Sequence, residues 1–164
     1  MKSKEKIMVH KGIDRIKRNQ LEEGLEFFDK ALEMNPLNAD AWNNRGVALF
    51  KMGKLDDALK CYDKALKADH ENLDSLRNKG FVLRSMQRFE EALECYEQVI
   101  ALEAVLDVSD LRNKATVQVG LGRLEDALNT LMDAAIISPS MQLEMEIDVL
   151  RKALLDMAMR TENI

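Results

Sequence analysis

The chain repeats itself every 34 residues, and no other feature constrains its fold as tightly. The segment ADAWNNRGVALFKMGKLDDALKCYDKALKADHEN from Ala39 can be set above LDSLRNKGFVLRSMQRFEEALECYEQVIALEAVL from Leu73. Gly46 then falls on Gly80, and Ala58 on Ala92. One period back stand Gly12 and Gly24; 35 residues forward stand Ala115 and Ala127. Pro36 and Pro139 lie 103 residues apart, two periods of 34 and one of 35. Four units therefore occupy residues 5–38, 39–72, 73–106 and 108–141, and the 164 residues read as a single domain, 1–164.

Each unit reads as two amphipathic helices, such as 41–52 and 55–68, with apolar residues at three- and four-residue steps. With two prolines, 5% aromatic residues and many Leu, Ala, Glu, Lys and Met, the composition favours helix and excludes an all-β fold. Asn19, Gly53 and Gly122 stand where a first helix must reverse, and tolerate a left-handed backbone there; Gln87 holds that place at greater cost. Acidic pairs open every second helix: Glu22-Glu23, Asp56-Asp57, Glu90-Glu91 and Glu125-Asp126. Their charge suits the unpaired N–H groups of a first turn. Small residues on first helices (Gly12, Gly46, Gly80, Ala115) are expected to face Gly24, Ala58, Ala92 and Ala127, so that the two backbones approach closely. A hairpin of this kind cannot cover its own apolar face, so neighbours stack and the last one needs a lid. Residues 142–160, with Leu143, Ile147, Leu150, Leu154 and Met157 in one stripe, form that capping helix or the first half of a fifth repeat. The extra residue near 104–109 (AVLDVS) lengthens either a helix or a hinge.

The pattern resembles the tetratricopeptide repeat, whose signature runs Trp, Leu-Gly, Tyr, then Ala, Phe, Ala and Pro. The second unit carries Trp42, Gly46, Leu49, Ala58, Tyr62 and Ala65, and the first carries Gly12, Gly24, Phe28, Ala31 and Pro36. The third has Leu76, Gly80, Leu83, Ala92 and Tyr96; the fourth has Leu111, Ala115, Ala127, Leu131, Ala134 and Pro139. Arg45, Lys79 and Lys114 replace the usual leucine, Arg15 and Gln118 another apolar residue, and His70 and Ala104 the proline. The resemblance implies an all-α superhelix of four helix-turn-helix repeats plus a C-terminal capping helix. It also implies that the first helices line its concave side.

On that geometry, residues one period apart form rungs along a groove. His10, Asn44, Asn78 and Asn113 make an amide row able to donate and accept along a peptide backbone, or one that makes only intramolecular contacts. Ile13, Val47, Phe81 and Thr116 make a mainly apolar floor, which inner-helix packing would equally require. Ile16, Phe50, Arg84 and Val119 form a third rung, and Asn43, Arg77 and Arg112 a fourth. Concave positions include Lys6, Lys17, Lys51, Arg77, Arg84 and Arg112 against Asp40 and Asp74. A locally positive groove in a chain of net charge −5 would steer an acidic peptide inward. Arg45, Lys79 and Lys114 would strengthen that field if their heads reach out beside the helix. The Lys and Asn clamp by which some tetratricopeptide domains hold a chaperone C-terminus is not matched. Val9 and Ile13 stand in its first-unit positions, Asp74 and Asn78 in its third-unit positions, and only Asn44 fits.

Catalysis and cofactors find little footing. His10 and His70 occupy different repeat positions and would not converge on a metal. Cys61 and Cys95 read as small packing residues of adjacent second helices, about one helix spacing of ~10 Å apart and beyond disulfide reach. Neither a phosphate loop nor a nucleophile motif is present. The polar start of the chain, the absence of a long apolar run and the lack of a disulfide framework point to a cytoplasmic protein. Met141, Met145, Met157 and Met159 are expected to fill the core under the cap; exposure of Met157, Met159 and Leu155 would instead support self-association. The function these features imply is non-enzymatic: a scaffold that binds a partner peptide in its groove. The alternative is a self-assembling scaffold. A basic groove holding RNA is weaker, because net charge and sparse aromatics oppose it.

Overall fold

The computed structural model describes residues 3–161, and the helices come where the period places them. Among these residues there are nine, in the order α1 (Lys4–Lys17), α2 (Leu21–Met34), α3 (Ala39–Lys51), α4 (Leu55–Ala68), α5 (Leu73–Ser85), α6 (Phe89–Leu102), α7 (Val108–Gly120), α8 (Leu124–Ile137) and α9 (Met141–Thr161). The chain divides between Val82 and Leu83 into two compact units, the boundary falling inside α5. In the first unit α1 packs on α2, α2 on α3 and α3 on α4; in the second α6 packs on α7, α7 on α8 and α8 on α9.

The four tight reversals are built alike. Asn19, Gly53, Gln87 and Gly122 have φ of 60°, 76°, 59° and 74°. After each, an amide returns to a carbonyl five residues earlier: Gln20 to Arg15, Lys54 to Leu49, Arg88 to Leu83 and Arg123 to Gln118, all at 2.9 Å. This is the hydrogen-bond pattern of a helix closed by a left-handed residue. Gln87 adopts that conformation without glycine's freedom, as the sequence leads one to expect. Asn38 and Asn72, one period apart, cap the next first helices by accepting from Ala41 N (2.8 Å) and Ser75 N (2.9 Å). The extra residue of the third period lies in a loop, since α6 stops at Leu102 and Asp107 caps α7 through Ser109 N at 2.6 Å.

The small residues work somewhat differently from expectation. What presses on them is a ring from the second helix, not only another small residue. A Cβ at Gly12 would lie 2.5 Å from Phe28 Cε1, and one at Gly46 would lie 2.6 Å from Tyr62 Cε1. A Cβ at Gly24 would meet the first helix more directly, 3.1 Å from Ile16 Cγ1 and 3.3 Å from Gly12 O. Phe28, Tyr62 and Tyr96 follow at one-period steps and are fully buried, and Leu131 takes the place beneath Ala115. Gln118, a polar substitute at an apolar position, is buried but accepts from Thr130 Oγ1 of α8 at 2.9 Å.

The last helix is a lid over only part of its length. Leu143, Ile147 and Leu150 join Leu111, Ala115, Ala127, Leu131 and Ala134 in one buried cluster. Leu154 is half-buried, and the stripe ends there. The four methionines do not fill the core. Met141, Met145, Met157 and Met159 are all exposed, as are Val149 and Leu155, because the core face of α9 is already complete without them.

Two outcomes follow from this packing. Gly46→Ala should lower unfolding free energy, because overpacking a closed site costs about 1–3 kcal/mol, against the roughly 1 kcal/mol that alanine gains over glycine in a helix. A lower urea midpoint with an unchanged slope checks it. Burial pushes the Tyr96 phenol up to about 12 and the Tyr62 phenol further. Below the unfolded value of about 10 both states keep their protons, so the contribution to stability is complete. Above it only the unfolded chain ionises, and stability drains as pH rises toward 12. An ultraviolet titration should therefore show neither tyrosine ionising near pH 10, and phenolate appearing together with loss of helical circular dichroism.

Candidate functional site

The first helices of the first unit carry the amide and apolar rows, and the structure shows how each member is held. Asn44 Nδ2 donates to Asp40 O at 2.8 Å, a bond within α3. Asn78 Nδ2 donates to Asn43 Oδ1 at 2.9 Å, tying α5 to α3. Asn43 is 7% exposed, so it lies under the row and supports Asn78 instead of facing solvent. His10 is exposed, with Nδ1 2.7 Å from Lys6 O, and lines a shallow hollow with Lys11, Asp14, Arg15 and Phe27. Phe50 and Phe81 meet edge to face, centroids 5.6 Å apart at 85°. Phe81 remains 42% exposed, while Ile13, Val47, Phe50 and Arg77 are half-buried.

In the second unit the expected residues converge. Arg84 Nη1 donates to Asn113 Oδ1 at 3.0 Å, and Thr116 Oγ1 donates to Arg112 O at 2.8 Å. Arg112 reaches across to α9, where its Nε donates to Glu146 Oε2 at 3.2 Å and its Nη2 to Oε1. Beside this pair, between α7 and α9, opens a cavity of about 510 Å³. Ala115, Thr116, Val119, Leu131, Met145, Val149 and Leu150 give it apolar walls, with Arg112, Gln142 and Glu146 at its polar margin. Arg84, Ser109 and Asn113 continue that margin into a smaller hollow of about 320 Å³ that shares Arg112, Thr116 and Glu146.

Glu146, Met145 and Val149 were not among the sequence candidates. The signal was available: Arg112 plus one more period of 34 is Glu146. The rung continues into the last helix when that helix is taken as the first half of a fifth repeat.

The cations Arg45, Lys79 and Lys114 do not add to the field of the first-helix rows. Each bonds back to the preceding second helix: Arg45 to Asp29 at 2.8 Å, Lys79 to Asp63 at 2.7 Å and Lys114 to Glu97 at 3.3 Å. The acids Asp29, Asp63 and Glu97 recur at 34, so one ion pair is repeated between consecutive hairpins. Their direction is set by the nearest carboxylate, and the positive surface expected of these positions is largely neutralised. Cys61 is buried and accepts from Arg45 Nη1 at 3.2 Å, yet burial still pushes its thiol up, away from thiolate chemistry.

Three family models match, all describing tetratricopeptide repeats, over residues 14–53, 39–72 and 72–109. The chain belongs to the tetratricopeptide repeat family. MamA from Desulfovibrio magneticus RS-1, starting at its residue 41, superposes at a TM-score of 0.83 with 21% identity, over 99% of this chain and 92% of that one. YrrB, described as a tetratricopeptide protein with an unusual peptide-binding site, gives 0.77 at 23% identity over 89% and 75%. The first tetratricopeptide unit of Spaghetti, bound to an HSP90 peptide, gives 0.69 at 22% over 73% and 94%. These likenesses establish the all-α tetratricopeptide fold. A stretch of 38 residues is 42% identical to an uncharacterised protein of Methanocaldococcus jannaschii, spanning 23% of this chain and under half, 44%, of that protein. Tetratricopeptide repeats are protein-interaction scaffolds, and this chain is one. Among its described residues no helix is long and apolar enough to cross a membrane.

The Arg112–Glu146 pair positions the margin of the cavity more than it stabilises the fold. Its side chains are 37% and 34% exposed, so water screens it. A double-mutant cycle of Arg112→Ala and Glu146→Ala should give a coupling of about 1 kcal/mol or less, read from urea unfolding of the four proteins.

Proposed function

We propose that this protein binds a peptide segment of a partner protein on its first-helix surface, with the cavity between α7 and α9 as the anchor point. The observation that carries the reading is the composition of that cavity. An apolar space of about 510 Å³ is bordered on one margin by Arg112, Gln142 and Glu146, with Arg84 and Asn113 just beyond. That size falls within the range of about 300–1,000 Å³ typical of ligand sites, which pair apolar walls with a few oriented polar groups.

A leucine, methionine or phenylalanine side chain would fill the apolar part, and backbone amides of the ligand would meet Asn113, Thr116 and the Glu146 carboxylate. Arg84 favours an acidic residue beside that anchor, while Glu146, already holding Arg112, disfavours a second one. The same reading in the first unit falls on Asn44, Val47, Phe50, Asn78 and Phe81, where two amides stand beside half-exposed rings. YrrB and the Spaghetti unit, which are described with a peptide-binding site and a bound peptide, support peptide as the ligand class. The missing clamp residues argue against a chaperone tail as this chain's own ligand. The role is recognition, with no reaction, and a cytoplasmic setting suits it.

The test is a phage-displayed library of random peptides panned on the full chain. Selected sequences should share one large apolar residue with acid close by. Val119→Asp, at a 43% exposed position, should weaken their binding by roughly tenfold or more, about 1.4 kcal/mol, with the thermal melt unchanged. No enriched sequence, or equal binding by the variant, rejects the cavity as the anchor.

A further inference from the structure

The outer face of α9 has a pattern of its own. Met141, Met145, Asp148, Lys152, Leu155 and Met159 follow one another at steps of four, three, four, three and four. That is the spacing of a two-helix seam, and it runs opposite the stripe Leu143, Ile147, Leu150 and Leu154 that faces the core. The structure leaves this seam exposed: Met141 is 78% accessible, Met145 64%, Leu155 64% and Met159 56%. The Asp148 side chain is 76% exposed and lies 3.6 Å from Arg151 Nη1, and Lys152 is exposed as well.

Read in either direction about Leu150, the seam matches itself. Met141 corresponds to Met159, Met145 to Leu155, and Asp148 to Lys152. An antiparallel partner with the same sequence would set methionine on methionine at both ends and methionine on leucine inside them. At the centre each Asp148 carboxylate would meet the other copy's Lys152 ammonium, twice by symmetry. Any shift of register by one seam step sets a charge against an apolar residue, so the central pairs would fix the alignment, as polar seam positions do in coiled coils. A two-fold interface requires this reciprocity, in which residue i meets j and j meets i.

A second observation separates this partner from a second helix completing a fifth hairpin. First helices carry Gly12, Gly46, Gly80 and Ala115 at the place where their own second helix closes in; one period on, α9 carries Val149. A β-branched side chain there blocks the close approach that the earlier hairpins use.

We infer that α9 is a self-association surface, through which a second copy of this chain docks antiparallel about Leu150 with reciprocal Asp148–Lys152 ion pairs. A seam of about three heptads is short, so the expected dimer is a weak, reversible one. Met145 belongs to both the seam and the cavity wall, but neither Asp148 nor Lys152 lines the cavity between α7 and α9, so changes at those two positions keep failure of this inference separable from failure of the peptide reading.

Sedimentation equilibrium on the full chain, from micromolar to millimolar, should show a monomer–dimer equilibrium. D148K and K152D should each weaken association by roughly tenfold or more, since each places like charges at the centre of the seam. The double variant D148K/K152D should recover it to within about threefold of the original. Circular dichroism melts of monomeric samples should stay unchanged, because both positions are exposed. A wild-type chain that remains monomeric throughout overturns the second copy as occupant and leaves the seam to a helix of another protein. A dimer indifferent to the single changes, or not restored by the double one, overturns the register.

Discussion

The close approach of two helices inside each hairpin is the constraint on which everything else rests. At Gly12 and Gly46 the first helix has no Cβ, and a ring from the second helix, Phe28 or Tyr62, occupies the space where one would stand. With that contact closed, the turn has room for only the reversal that Asn19, Gly53, Gln87 and Gly122 make. The second helix then starts at a fixed place, where its acidic pair meets unpaired amides. The outer faces of the hairpin remain apolar, and only another hairpin can cover them. Hence the period of 34 is a packing requirement before it is a binding surface.

The repeated ion pair shows how far that regularity reaches. Arg45, Lys79 and Lys114 stand in place of an apolar residue, which by itself would weaken the stack. Their stems still pack, and their heads find Asp29, Asp63 and Glu97 on the preceding hairpin. Substitution and partner recur together, so the charge is part of the repeat. Each pair is partly exposed and adds little to stability; its larger effect is on recognition, because it removes three cations from the field an approaching ligand would feel.

Local backbone rules made much of the fold legible in the residues. The reversals at Asn19, Gly53, Gln87 and Gly122, the acidic first turns and the buried half of α9 all follow from short-range conformational preferences and the period. What could not be read required knowing which flank of a helix meets which neighbour. Asn43 and Asn78 sit on adjoining rungs, yet one is sealed beneath the other, and spacing alone does not distinguish them. The methionines of α9 are exposed, against expectation, because a single apolar stripe does not reveal that the helix has a second periodic face. Leu143, Ile147 and Leu150 already satisfy the core, and the second periodic face escapes notice until the first has been assigned. Glu146 lies one period beyond Arg112, on a rung that continues past the fourth unit into α9.

Glu146 and Val149 together change what α9 does. Once Arg112 is seen to be held by Glu146, α9 ceases to be a passive lid and becomes a wall of the cavity, so the chemistry of α9 enters the ligand's surroundings. Once Val149 is seen in place of the small residue, α9 ceases to be a first helix waiting for its second. It keeps the period of the repeats on its inner side and departs from it on its outer side. A helix under both demands has its core face set by the stack and its other face released from it. The seam of Met141, Met145, Asp148, Lys152, Leu155 and Met159 lies on that released face, where nothing in the fold of one copy requires an alternating apolar row with opposite charges at its middle.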